Sequence, residues 1–345
     1  MQNKTISKSN LSEFVDALIR KKAAEEVIGV KAKDNKYAFG PLTSASELCL
    51  DYDVTLLPPK KYFLPQKETV LKFKLGNATS AEPVVEAKSI ILIGIHPYDI
   101  KAIELLDAVY TATHPDPNYL LKRDKATIIG VDCLSPNPKA FCSSLGTATT
   151  ESGFDLMLTD IGDSYVVAVG TDKGAELLKK YAKAMDATQS ELAQRDSQRK
   201  KALGKYSVSL NMSSEEIPRL LDIAWDSRIW KEKSEPCLSC GSCVMVCPTC
   251  VCFDVHDDVA LTLDKGERYR RWDSCMLVDF AKVATGENFR ENREKRFRHR
   301  MYRRGKYLLE RYGKLGCVGC GRCGLACLVH IASPAETFNL LKEAK

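Results

Sequence analysis

Several familiar signatures are missing from this 345-residue chain. No apolar run approaches the roughly 18 to 20 residues needed to cross a bilayer; the best candidate, SIILIGI at 89–95, has only the length of a buried strand. The N-terminal MQNKTISKSNLSEF carries neither an apolar signal core nor a twin-arginine pair, so the expected location is the cytoplasm. No G-x-G-x-x-G follows a strand and no G-x4-G-K-[ST] is present, which removes the two commonest phosphate-cradling fingerprints. VGTDKGAELL at 169–178 has a glycine before a helix start but lacks their spacing. Histidine is scarce, with five residues, none in H-E-x-x-H, and no Ser/His/Asp set is suggested by position. His330, three residues after Cys327, reads as an ordinary end-of-helix residue.

What the chain does have is cysteine. With 44% hydrophobic and 28% charged residues it reads as globular, and its length allows two domains. Fourteen cysteines in a reducing compartment argue for metal ligation rather than disulfides, because soft metals take thiolates there. Eleven of the fourteen fall between 237 and 327, a bunching that a scattered disulfide framework would not produce.

The first half reads as mixed α/β. An amphipathic helix is expected over 11–30, with Leu11, Phe14, Leu18 and Ile19 on one face, Asn10 as cap and Glu13 answering it. Short strand-like pieces follow from 37 to 75, broken by Pro58, Pro59 and Pro65. SIILIGI then leads into a helix at about 98–110, ATIIGV forms a second strand ending at Val131, and FDLMLTD and SYVVAVG form a hairpin before a helix near Asp172. The polar stretch 185–204 places a boundary, giving a scaffold or docking domain over 1–205 and a second domain over 206–345. That second domain is expected to be mainly α-helical and ferredoxin-like, beginning with a helix over EEIPRLLDIAWDSRIW behind a Ser213–Glu216 capping sequence.

Cys237, Cys240, Cys243 and Cys247 follow C-x2-C-x2-C-x3-C, with Pro248 next, and Cys317, Cys320, Cys323 and Cys327 repeat the spacing. A [4Fe-4S] cluster needs four thiolates; three on a tight loop reach one cluster, and in two-cluster ferredoxins the fourth ligates the other. The expected sets are therefore Cys237, Cys240, Cys243 and Cys327 for one cluster, and Cys317, Cys320, Cys323 and Cys247 for the second. Gly241, Gly321 and Gly324 suit loops that wrap closely on a cluster. Zinc is the alternative, but it uses two pairs and a spacer and has no need of four cysteines in each half. Seventy positions separate Cys247 from Cys317, and this insertion, including FRENREKRFRHRMYRRGKYLLERYGK at 289–314, is helical in character.

CLSCGSCVMVCPTCVCFDV, GERYRRWDSCMLVDF, ENFRENREKRFRHRMYRR and CVGCGRC together resemble the iron–sulfur beta subunit of soluble hydrogenases, the sulfhydrogenases, and are similar also to the iron–sulfur subunit of anaerobic sulfite reductase. The likeness is dense over 237–330 and extends more thinly to PPKKYFLPQKE, GIHPYDIKAI and FCSSLGT. It implies a subunit that passes electrons between a flavin-bearing, NAD(P)H-oxidising partner and a catalytic partner. Two departures stand out. Leu328 follows Cys327 where such motifs usually have proline, and Tyr98 and Ala140 stand where the family suggests further cysteines, leaving only Cys133 and Cys142 in that half beside a core-like Cys49.

Cys250, Cys252 and Cys275 are left over. They form a possible third metal site, with His256, a remote cysteine or water as fourth ligand, or else pack as small hydrophobes. Between Asp264 and Lys314 there are 16 Lys and Arg against 8 Asp and Glu, a net of +8 in a chain whose total is +6. Interleaved aromatics allow a nucleic-acid stripe; the competing reading has arginines around anionic clusters or docking an acidic partner. Alternating signs in FRENREKR favour pairing on a helix surface. The leading expectation is an electron-transfer subunit that performs no bond chemistry by itself. Its rivals are a self-contained reductase with a third cluster or a flavin in the N-terminal half, and a cluster-containing nucleic-acid-binding protein. The terminal reaction is expected to reside on other chains.

Overall fold

The structure, a computed structural model, describes residues 2–76 and 79–344. The strands in chain order are β1 (Gln2–Ser7), β2 (Glu26–Lys33), β3 (Lys36–Pro41), β4 (Lys67–Lys74), β5 (Ser80–Pro83), β6 (Ile90–Ile95), β7 (Ala126–Val131), β8 (Leu156–Asp160), β9 (Ser164–Val169), β10 (Met185–Asp186), β11 (Phe253–Val259) and β12 (Lys265–Trp272). Eight of them form one sheet, ordered β10-β1-β9-β8-β7-β6-β2-β3. Within it β2, β6, β7 and β8 run parallel, while β9, β1 and β3 pair antiparallel. Every residue of β6 and β7 is buried, which explains why IILIGI and ATIIGV are continuous rather than alternating: both faces of a central parallel strand are covered.

The first helix is shorter than its periodicity implied. It spans Lys8–Arg20, with Leu11, Phe14, Val15 and Leu18 buried, and its cap is Ser7, whose Oγ accepts from the Asn10 N–H at 3.2 Å. Residues 26–30, expected as its end, belong to strand β2, because Val27, Ile28 and Val30 favour the sheet and Gly29 weakens a helix. A Cβ at Gly29 would lie 2.6 Å from Leu48 Cδ1, so the segment crossing the strand needs the glycine. The helix after β6 (Pro97–Thr111), the antiparallel β8–β9 hairpin and the helix Asp172–Tyr181 stand where the sequence placed them. The polar stretch before position 205 is the helix Gln189–Leu203, opened by a Thr188–Glu191 capping box and tied down by Arg199 Nε on Asp132 Oδ2 at 2.7 Å.

The second half is less uniformly helical than expected. The insertion between Cys247 and Cys317 begins with the β11–β12 hairpin, whose short alternating pieces leave one face exposed. This hairpin extends a four-stranded antiparallel sheet, β11-β12-β4-β5, so strands from before and after position 205 share one ladder. Helix then takes over at Arg293–Tyr302, passes through a π turn at Arg303–Tyr307 and continues over Leu308–Tyr312. The helix expected over 215–230 divides into Ile217–Ile223 and Ile229–Ser234. Between them the indole N–H of the buried Trp230 donates to the Ala224 carbonyl at 2.6 Å.

Candidate metal centre

The two cysteine motifs fold alike. In each a short helix, Ser242–Met245 or Arg322–Ala326, starts at a left-handed glycine, Gly241 (φ 76°) or Gly321 (φ 78°). In each a backbone N–H points at the first sulfur two residues back: Ser239 to Cys237 Sγ at 3.4 Å and Gly319 to Cys317 Sγ at 3.5 Å. Such N–H groups stabilise a thiolate or a cluster sulfur. The second motif also rests on the α/β half. A Cβ at Gly319 would stand 2.7 Å from the Cys142 nitrogen, and one at Gly321 2.5 Å from Asn137 Oδ1.

Cys237, Cys240 and Cys243 line one cavity together with Cys327, in company with Met276, Phe297 and Leu328. Cys247 does not line that cavity. Its thiol contacts Thr249 Oγ1 at 3.2 Å and lies within electrostatic reach of Cys317, Cys320 and Cys323. Among the described residues no group of three or more His, Cys, Asp or Glu side chains is arranged around a single metal ion. Burial pushes the Cys243 thiol up to about 11 and Cys320 up to about 12, whereas the Ser242 hydroxyl lowers that of the exposed Cys240. The buried sulfurs therefore need positive partners to persist as thiolates.

The helix over 293–302 and its π turn supply such partners. Arg296, Arg300 and Arg304, four residues apart, are 2%, 1% and 4% exposed, and among the described residues none has a carboxylate partner. Arg296 donates to Ser239 Oγ at 3.0 Å in the first loop, and Arg304 to Thr249 Oγ1 at 2.6 Å and the Gly316 carbonyl at 3.1 Å. Arg300 donates to Met301 Sδ at 3.9 Å, and it lies within hydrogen-bonding reach of Cys323 and electrostatic reach of Cys243. The Nε atoms of all three are buried without a partner. Buried cations of this kind require compensating negative charge, and anionic iron–sulfur clusters provide both charge and acceptor sulfurs. The residues present thus fit the group. Inward-facing arginines also weaken the nucleic-acid reading, as do the ion pairs of Lys295, Lys306, Arg268 and Arg270 with neighbouring carboxylates.

Cys250, Cys252 and Cys275 converge in a third group, with Cys250 and Cys275 buried and Cys252 half-buried. His256 does not join them; it stacks on Tyr269 beside Asp254 on the four-stranded sheet. Cys133, Cys142, Tyr98 and Ala140 meet in one buried cluster with Cys320. Cys49 is half-buried at the edge of the main core and donates to the Asp51 carbonyl at 3.2 Å.

Sequence reasoning missed how Arg322 is held. In open α/β sheets the crevice outside the carboxyl ends of the strands is the usual ligand site. Here, after β6, Asp99 takes the Arg322 guanidinium in two bonds of 2.7 and 2.6 Å, while Thr55 accepts two more at 2.9 Å. The second cysteine loop therefore inserts into the α/β half at this edge. Nothing in local periodicity marks Asp99, which sits on a buried helix start.

Residues 236–331 match the family model described as a 4Fe-4S dicluster domain. The chain is 37% identical over 333 residues to the sulfhydrogenase 2 subunit beta of Pyrococcus furiosus, covering 96% of both chains. Among the described residues no helix is long and apolar enough to cross a membrane. With the dicluster match falling on the doubled cysteine motif and the likeness running through both halves, the chain belongs to the sulfhydrogenase beta-subunit family of iron–sulfur, electron-transferring hydrogenase subunits.

Proposed function

We propose that this chain relays single electrons through two [4Fe-4S] clusters inside a cytoplasmic multisubunit oxidoreductase. Cys237, Cys240, Cys243 and Cys327 would hold one cluster, and Cys317, Cys320, Cys323 and Cys247 the other. The observation that carries this reading is the shared cavity, which brings Cys327 to three cysteines at least 84 positions earlier. Each cluster stores one electron when bound, dividing two-electron flavin chemistry into single steps. The chain's own residues do the rest. The motif loops orient the thiolates, the arginine row balances their charge, and Phe297 and Met276 keep water from one side of the first cavity. Leu238 and Leu328, 58% and 77% exposed, leave its outer rim open to a partner. The partners would be a catalytic subunit of hydrogenase or sulfite-reductase type and a second subunit that bears flavin and oxidises NAD(P)H.

Cys247→Ala tests the crosswise arrangement. In the anaerobically purified protein, the electron paramagnetic signal of the cluster on the Cys317–Cys323 loop should be lost, while the signal of the other persists. Selective loss of the Cys237–Cys243 cluster would reverse the assignment. Co-purification of the tagged chain from its native host should bring down both a flavoprotein and a catalytic subunit.

A further inference from the structure

Cys250, Cys252 and Cys275 lie outside both four-cysteine groups, yet they are surrounded in the same way. The Cys252 N–H points at Cys250 Sγ from 3.4 Å, repeating the contact of the two motif loops, where an N–H two residues on addresses the first sulfur at 3.4 and 3.5 Å. Lys60, from the α/β half, is 3% exposed. Its ammonium donates to the Cys250 carbonyl at 3.0 Å, sits 4.3 Å from the centre of the Trp272 ring and has no carboxylate partner among the described residues. Arg304 reaches the same region with its buried Nε unpartnered. The trio thus has the Lys60 ammonium against it without a carboxylate, and it shares Arg304 with Cys247 and Cys317 of the second group.

Inert packing does not account for this. Neutral thiols behave as small hydrophobes, so the charge of an ammonium buried against them is relieved only by the Cys250 carbonyl and the Trp272 ring. A negatively charged centre at the same place offsets the remaining desolvation cost. Cys252 lies within hydrogen-bonding reach of both Cys250 and Cys275, so the three sulfurs are already gathered, and a polynuclear cluster would add anionic sulfides beside the cations. We propose that Cys250, Cys252 and Cys275 hold a third iron–sulfur cluster, with Lys60 as its own counter-charge and Arg304 shared with the neighbouring cysteine group. Three protein thiolates suit either a three-iron cluster or a four-iron cluster whose last iron takes a non-cysteine ligand. The narrow cavity beside Cys250 and Cys252, walled by Leu64, Tyr110 and Trp272, is where such a ligand would approach. The inference does not depend on how the other eight cysteines pair.

The experiment compares the full-length chain with C252A/C275A after anaerobic loading with iron and sulfide. The wild type is expected to carry about three to four more irons per chain than the variant, with matching acid-labile sulfide, and the variant to retain about eight. Equal iron in the two proteins overturns the proposal, as does extra metal that proves to be zinc without sulfide. The wild type also decides by itself: a spectrum resolved into two clusters, with about eight irons, would mean that the three thiols only pack. In K60M the extra cluster should keep its iron while its midpoint potential moves to a more negative value and the other signals stay in place. An unmoved potential would remove Lys60 from its role. Failure of the two-cluster reading would appear elsewhere, in the response to Cys247→Ala.

Discussion

Arg300 is one side chain within reach of both proposed clusters. It is buried, lacks a carboxylate, and lies within electrostatic reach of Cys243 of the first group and Cys323 of the second. A positive charge there favours the reduced, more negative state of either cluster, so replacing it with methionine should make both more difficult to reduce. A shift of about 60 mV, or about 1.4 kcal/mol for a one-electron couple, is the expected scale. Redox titration followed by paramagnetic resonance reads it directly, and Arg300→Lys should restore much of the shift. Unchanged potentials with both clusters present would reduce Arg300 to space-filling. The spacing of Arg296, Arg300 and Arg304 was visible in the sequence as one helical face. Which way that face points was not, because a charge count cannot separate a solvated stripe from a buried row.

Among elements, the contact between the second cysteine loop and the end of β6 governs how the halves fit. Asp99 and Arg322 are 0% and 2% exposed, and the pair crosses from one half to the other. Asp99→Asn would leave a guanidinium buried without its counter-ion, a change that costs about 3–5 kcal/mol in comparable settings. Chemical denaturation of the loaded protein should show that loss, and the double change Asp99→Leu with Arg322→Met should recover a large part of it. If Asp99→Asn proved neutral, the pair would not be what seats the loop. Gly321→Ala provides a second probe, because the residue is left-handed and its Cβ would fall 2.5 Å from Asn137 Oδ1. That variant should bind less iron at the second cluster than at the first. The strands were legible because uninterrupted runs such as IILIGI can be buried on both faces, and helix starts because their caps are local. The end of the first helix was misjudged since its stripe of apolar residues runs on into β2, where β-branched side chains and the neighbouring strands prevail over helical periodicity.

At the scale of the molecule, the two halves are joined by backbone as well as side chains. β4 pairs with β12 across nearly two hundred positions, and Asn137 of the α/β half donates to the Cys320 carbonyl at 3.0 Å. A fragment of residues 206–345 would expose the β12 edge, lose Lys60 and Asp99, and strip the support from the second cysteine loop. It should therefore be less soluble and carry less iron per chain than the whole protein, as gel filtration and iron analysis would show; a fragment loaded as fully as the intact chain would mean the halves are independent.

The sequence by itself determined the chemistry on offer. Eight cysteines in two copies of one spacing call for iron–sulfur clusters, since the ligand type and the reach of a short loop are local properties written in consecutive residues. Tertiary structure decided what those thiols meet: Cys327 beside Cys237, arginines turned inward, Lys60 against Cys250, and Asp99 holding Arg322. These juxtapositions arise from packing between segments far apart in the chain, where burial removes water and leaves each charge dependent on a partner that no neighbouring residue reveals.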